Sequence, residues 1–354
     1  SFGLFDNLAP YARIFRNSIN ELYYDNRNQV LWVGITGRGL MKISFRGERL
    51  KYIEIPSNVK SVNGLTQDME GYIWISTDTK GVFRSTTSQL SSKMHFEQWP
   101  EAKSGRYVQY KDEFGSLWFG DSFGNVIQFN TNTGKNETFR IESSTNEGTI
   151  TAENINALYL NSRNDLWVAA DNGLFIYDMK SRQLLAYMPN SSSTGNITAI
   201  CQDGGGTMWL GTERGVHMAV RDGSTVNLTS GFEKSADVAA NKVLALYVNN
   251  FNQLYASYED KTIHIDAKSK EVVEALMLHR DYSSGHIRCI TDDGSGCTWL
   301  GTASGVVMVN NGTLESYLYE LAEMLKDEYD VEIPEEEVLT FLASRKGFLD
   351  GVVL

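Results

Sequence analysis

The chain has 354 residues, 42% of them apolar, and carries a net charge of −12. That is enough for one large domain or two small ones, and no apolar run approaches the roughly 18 residues a membrane span needs. The charge argues against a nucleic-acid or anionic-membrane surface, and Cys201, Cys289 and Cys297 fit neither a disulfide framework nor a zinc ligand pattern.

The acidity is concentrated at one end: residues 313–354 hold eleven Asp and Glu against three Lys and Arg. The first residue is Ser1, with no charged-then-apolar leader behind it, and reads as the trimmed start of a longer chain.

In chain order, the first predicted element is a lone strand at residues 11–16. A repeating unit begins at Ile19. Its clearest copies are GTMWLGTERGV (206–216) and GCTWLGTASGV (296–306). In-register aromatic residues are Trp32, Trp74, Trp118, Trp167, Trp209, Tyr255 and Trp299; Trp99 alone among the tryptophans lies outside the series. Asp68, Asp112, Asn161, Asp203, Asn249 and Asp293 each precede an aromatic by six residues, and Asp25 stands one farther out. Farther upstream come Ile19, Val62, Ile155, Ile197, Val243 and Ile287, with Arg106 in that slot in the third unit.

Each position has a mechanical reason. Asp203 can turn its carboxylate onto nearby amides and Gly206 can take positive φ, so the two close a tight hairpin. Trp209 and Gly211 share one face of a strand, where a flat ring beside a missing side chain suits close stacking of one sheet on the next. A third strand follows at 216–220 after the turn at Gly215. Fourth strands are predicted at 51–55, 95–99, 137–141, 183–188 and 272–278. Four short antiparallel strands every 40–50 residues or so make a β-propeller blade. The expected fold is all-β: a seven-bladed propeller of four-stranded blades over residues 1–312. The seventh unit ends after its third strand, and the strand at 11–16 is expected to complete it and latch the ring.

Leu314, Tyr317, Leu318, Leu321, Met324 and Leu325 recur at helical spacing, predicting an amphipathic helix over 314–327. Pro334 opens a second helix, with Glu335–Glu337 in its first turn and Lys346 and Gly347 near its end. Residues 313–354 are thus read as an acidic helical hairpin. It is either an appended, non-native segment or an unusual junction, the first being favoured.

The unit resembles the two-component regulator propeller repeat. The resemblance is carried by ITAICQDGGGTMWLGTERGV (197–216), INALYLNSRNDLWVAADNGL (155–174) and IRCITDDGSGCTWLGTASGV (287–306), and extends from residue 1 to about 310. It implies the periplasmic sensor region of a hybrid two-component system of gut Bacteroidetes. Such receptors usually carry two seven-bladed propellers, a β-sandwich, a membrane helix, and kinase and DNA-binding modules. The resemblance further implies sensing of oligosaccharides from complex glycans, control of polysaccharide utilisation, and a receptor homodimer. The second propeller does not follow Asn311 here; the acidic tail does.

Enzyme signatures are sparse. His95, His217, His264, His279 and His286 form no paired metal motif, and neither a G-x-S-x-G elbow nor a P-loop is present. TDDGSGCTW (291–299) comes near the sialidase Asp-box, and streptogramin lyase shares a similar ring and W-x-G repeats. A lyase would need a catalytic His with acid or base partners in the ring's mouth. Neither catalytic residues nor a metal or cofactor are expected. The favoured reading is a non-catalytic sensor, the second a lyase-type enzyme, and the third a protein-interaction scaffold.

Candidate binding residues are departures from the repeat. In RYVQYKD (106–112), Arg106 and Gln109 replace Ile and Leu. Either this strand slips by one, making Tyr107 and Tyr110 the core pair, or the polar groups face the channel. Trp99 lies just upstream. The loop HRDYSSGHIR (279–288) enters the seventh unit on the same face with His279, Arg280, Tyr282, His286 and Arg288. Aromatic stacking with Arg and His donors would suit a glycan there. The connections 142–154 and 229–242 are polar and suit a lid or docking surface.

Overall fold

A computed structural model describes residues 18–44, 50–53, 55, 59, 61–89, 94–145, 148–229, 241–249, 252–259, 262–266, 269, 272–276, 287–292, 297–302 and 306–310. All regular elements among them are strands. Six four-stranded antiparallel sheets span residues 19–53, 62–98, 107–140, 155–189, 197–229 and 245–276, each strand bonded to its sequence neighbour; a three-stranded sheet spans 287–310. The expectation of seven four-stranded blades is therefore corrected to six, with a three-stranded seventh sheet. The latch strand at 11–16 and the helices from 314 and Pro334 lie outside the described residues.

The first strand of each sheet is the innermost. These are Ile19–Asp25, Val62–Gln67, Tyr107–Lys111, Ile155–Leu160, Ile197–Gln202, Ala245–Val248 and Ile287–Asp292. Each packs on the next, and the last packs on the first, so the sheets form a closed ring. Predicted outer strands appear with shifted ends, such as Phe96–Gln98 and Val272–Leu276, and the fifth blade has one as well, Thr225–Thr229.

Repeated residues build the seams between blades. A Cβ on Gly34, Gly120, Gly211 or Gly301 would lie 2.7–3.0 Å from a side-chain carbon of Val62, Ile155, Val243 or Ile19, respectively. The glycine of one blade thus makes room for the first residue of the next. Gly301 against Ile19 places that contact at the ring's closing seam. The turn aspartates have a double function. Asp68 Oδ1 accepts from the amides of Glu70 and Tyr72 at 3.1 and 2.9 Å. Its Oδ2 accepts from Trp74 Nε1 at 2.8 Å. Trp118 and Trp209 donate to Asp112 and Asp203 in the same way at 2.9 Å. The spacing of six residues from acid to indole reflects this bond.

Connection 142–154 contains a hairpin, Glu142–Thr145 paired with Gly148–Thr151. Tyr177 anchors it, its hydroxyl accepting from the Glu142 amide at 2.8 Å and donating to the Glu142 carbonyl. Residues 230–240 of the other long connection lie outside the described residues.

Candidate functional site

The inner strands share an irregularity at their first residues. Register shifts fall between Ile19 and Glu21, Val62 and Gly64, Ile155 and Ala157, Ile197 and Ala199, and Ile287 and Cys289. A bulge leaves one residue without a partner opposite and re-aims its side chain. The residues so released are Asn20, Asn63, Asn156, Thr198 and Arg288, all polar, at one end of the inner strands. Tyr107 holds the equivalent position in blade three, where the pairing runs unbroken from Tyr107↔Asp121 to Lys111↔Leu117.

Asn20, Asn63 and Arg288 line one open cleft of about 370 Å³ together with Leu244 and Glu259. Its walls come from blades one, two and six and from the seventh sheet. Polar bonds tie the lining together. Asn20 Oδ1 accepts from Thr36 Oγ1 at 2.8 Å and from the Arg288 guanidinium at 3.5 Å. Asn20 Nδ2 donates to Ser61 Oγ at 3.0 Å and to Asn63 Oδ1 at 3.3 Å. Asn156 donates to Asp171 at 2.7 Å, and Thr198 to the carbonyls of Gly211 and Val243 at 3.1 and 2.8 Å. Glu259, four residues after the unit's aromatic Tyr255, supplies the cleft's carboxylate.

The structure separates the sequence-predicted site residues. Arg288 lies in the cleft. Trp99 does not: it is 8% exposed and stands edge-on to Trp74 at 5.3 Å and near Phe119 at 5.1 Å, in the core between blades two and three. Tyr107 is buried in the same core, and this burial raises its pKa. Tyr110 is half-buried on the opposite seam, its ring 5.2 Å from Tyr159, donating to the Leu160 carbonyl at 3.3 Å. Burial pushes its phenol well above the usual range. Arg106 spends its guanidinium on Asn154 Oδ1 at 3.1 Å and the Ile155 carbonyl at 3.3 Å, and burial lowers its pKa. The slip that would pair Tyr107 with Tyr110 in the core is not what this strand adopts. Without the bulge Tyr107 takes the register position that Ile holds elsewhere, but Gln109 opposite Phe119 and Tyr110 opposite Trp118 keep the register of the other blades, so the two tyrosines face opposite seams. His279, Arg280, Tyr282 and His286 lie outside the described residues.

Asn20, Asn63, Leu244 and Glu259 were not singled out from sequence. The signal for the two asparagines is the position following the unit's first Ile or Val, which is Asn in the first, second and fourth units; Glu259 has no such signal. Among the described residues, no histidine lines the cleft. His217 is half-buried on a third strand, its Nε2 unpartnered and its pKa lowered by burial. No group of His, Cys, Asp and Glu among the described residues forms a metal cage.

A model of the two component regulator propeller family matches residues 191–214. No curated protein matches the chain. Among solved structures, the extracellular domain assigned to a one-component system of Bacteroides thetaiotaomicron is similar at TM-score 0.62 and 17% identity, over 84% of this chain and 40% of its own. A second form, described as a hybrid two-component system of the same organism, matches at TM-score 0.60 and 18% identity, over 84% and 41%. The chain thus spans about two-fifths of those domains. Virginiamycin B lyase from Staphylococcus aureus is similar at TM-score 0.62 and 13% identity, over 83% of this chain and 94% of its own. At these identities the likeness is one of fold: a propeller similar both to extracellular domains of Bacteroides two-component systems and to a lyase.

Proposed function

We propose that the chain is a non-catalytic, ligand-sensing propeller in the periplasmic part of a hybrid two-component receptor that controls polysaccharide use. Its ligand is an oligosaccharide, and the mouth cleft is where it binds. The observation that carries this reading is the set of bulges: five inner strands each give up a ladder position at the same end, and three of the polar residues so released, Asn20, Asn63 and Arg288, line the cleft. Amides, a guanidinium and a carboxylate around an open cleft suit hydroxyl groups, which both donate and accept. The match to the two-component regulator propeller family and the likeness to two structures of one Bacteroides thetaiotaomicron extracellular domain support the signalling context.

Binding would act by favouring one of two receptor states, in proportion to the ligand's differential affinity for them. The neighbouring modules, a second propeller and a β-sandwich, and the partner copy in a receptor dimer would transmit that preference. The lyase reading has the near-complete overlap with virginiamycin B lyase in its favour. Calorimetry with a panel of plant and host oligosaccharides separates the two, each titration being followed by product analysis. The sensor reading expects saturable heat with the sugar recovered intact. Product formation would establish the enzyme, and silence towards every sugar would favour a scaffold.

A further inference from the structure

The cleft's hydrogen bonds have a direction, and the direction selects a ligand. Thr36 and Ser61 are hydroxyls and tolerate either orientation of the Asn20 carboxamide. The Arg288 guanidinium only donates, so the atom of Asn20 facing it is Oδ1. Asn20 Nδ2 then points the other way, to Ser61 Oγ and Asn63 Oδ1. With its oxygen engaged by Asn20, the half-buried Asn63 turns its Nδ2, a pure donor, away from Asn20. The described charges of the cleft are one guanidinium, at the head of this chain of bonds, and one carboxylate, the exposed Glu259.

We infer that Asn63 Nδ2 is the specificity-determining donor of the mouth cleft, and that the cleft takes a neutral, hydroxyl-bearing saccharide in preference to an acidic one. This rests on the sensor reading above. A hydroxyl serves both ends of the site, accepting from Asn63 Nδ2 and donating to Glu259. A ligand carboxylate serves Asn63 but meets Glu259 as a like charge across the open cleft, and like-charge contacts act against the wrong partner. Asn20 is a positioning residue that holds the Asn63 amide in its donor-outward orientation.

The test uses the full chain with xylotriose, cellotriose and trigalacturonate in calorimetry, alongside Asn63→Asp and Asn63→Ala. Asp keeps the shape and the acceptor that Asn20 needs, but turns an acceptor outward. The expected result is a neutral trisaccharide bound at least tenfold more tightly than trigalacturonate, and weakened at least tenfold in both variants at unchanged melting temperature. In Asn20→Asp, the side-chain amide resonances of Asn63 should shift while the melting temperature holds. Neutral-sugar affinity unchanged in Asn63→Asp, or trigalacturonate as the tightest ligand, overturns this assignment and leaves the sensor reading standing. If none of the three binds the unsubstituted chain, this inference is overturned, while the sensor reading is decided by the wider oligosaccharide panel.

Discussion

Glu21 sits at the closing seam, on the inner strand of the first blade, and adds to the effect of burial in raising the pKa of the Cys289 thiol on the seventh sheet. Burial pushes its own carboxyl up from 4.5 to about 8, against the opposing effect of the Leu22 amide, which donates to Oε1 at 3.3 Å. The folded ring therefore prefers the protonated acid. The stability this gives is complete below pH 4.5, is lost as pH rises from there to about 8, and is level above that. Denaturant titrations from pH 4 to 9 should show this decline, and Glu21→Gln should remove that part of it while matching the unsubstituted chain at pH 4. A decline of the same size in Glu21→Gln would assign it to other groups. Asn161 illustrates a second local constraint. It keeps the backbone bonds of a turn aspartate, to the amides of Arg163 and Asp165 at 2.9 Å, but lacks the second acceptor oxygen. Trp167 Nε1 in that blade is buried without a partner.

The blade seam depends on a missing side chain. A Cβ at Gly120 would come within 2.7 Å of Ile155 Cγ2 and 3.1 Å of its Cβ, closer than packed carbons approach. Gly120→Ala should destabilise the ring by about 1–3 kcal/mol through overpacking. Urea unfolding of Gly120→Ala, Ile155→Ala and the double variant tests the pairing: the double should cost less than the sum of the singles. Strict additivity would mean the two do not share a contact. Such elements were readable from sequence because blade geometry recurs and repeats its Ile, Trp, Gly and Asp. The bulged residues were not, since a bulge fixes a position without fixing a side chain, and Asn, Thr and Arg all occupy it. Trp99 misled for the converse reason. Standing outside the repeat, it looked available for binding, yet blades two and three need its extra ring to fill their shared core. Arg106 marked a real irregularity, the absent bulge, but its guanidinium serves the seam with blade four.

A closed ring gives every inner strand two neighbours and leaves one end of all of them around a common opening. Side chains from blades one, two and six and from the seventh sheet meet there although more than 200 residues separate Asn20 from Arg288 in the chain. The cleft lies across the seam where the first and seventh sheets meet, so a ligand held in it would bridge that seam. The ring was legible in the repeat, and Arg288 was singled out from sequence; the cleft was not legible, because its walls converge only once the ring closes. Hydrogen exchange of the full chain, with and without the tightest-binding oligosaccharide, tests the placement of the site most directly. Ligand should slow exchange at 19–21, 62–64 and 287–289, where the bulged strands open onto the mouth. Protection confined to the opposite turns, at 68–72, 112–116 and 203–207, would place the ligand on the other face and contradict the account.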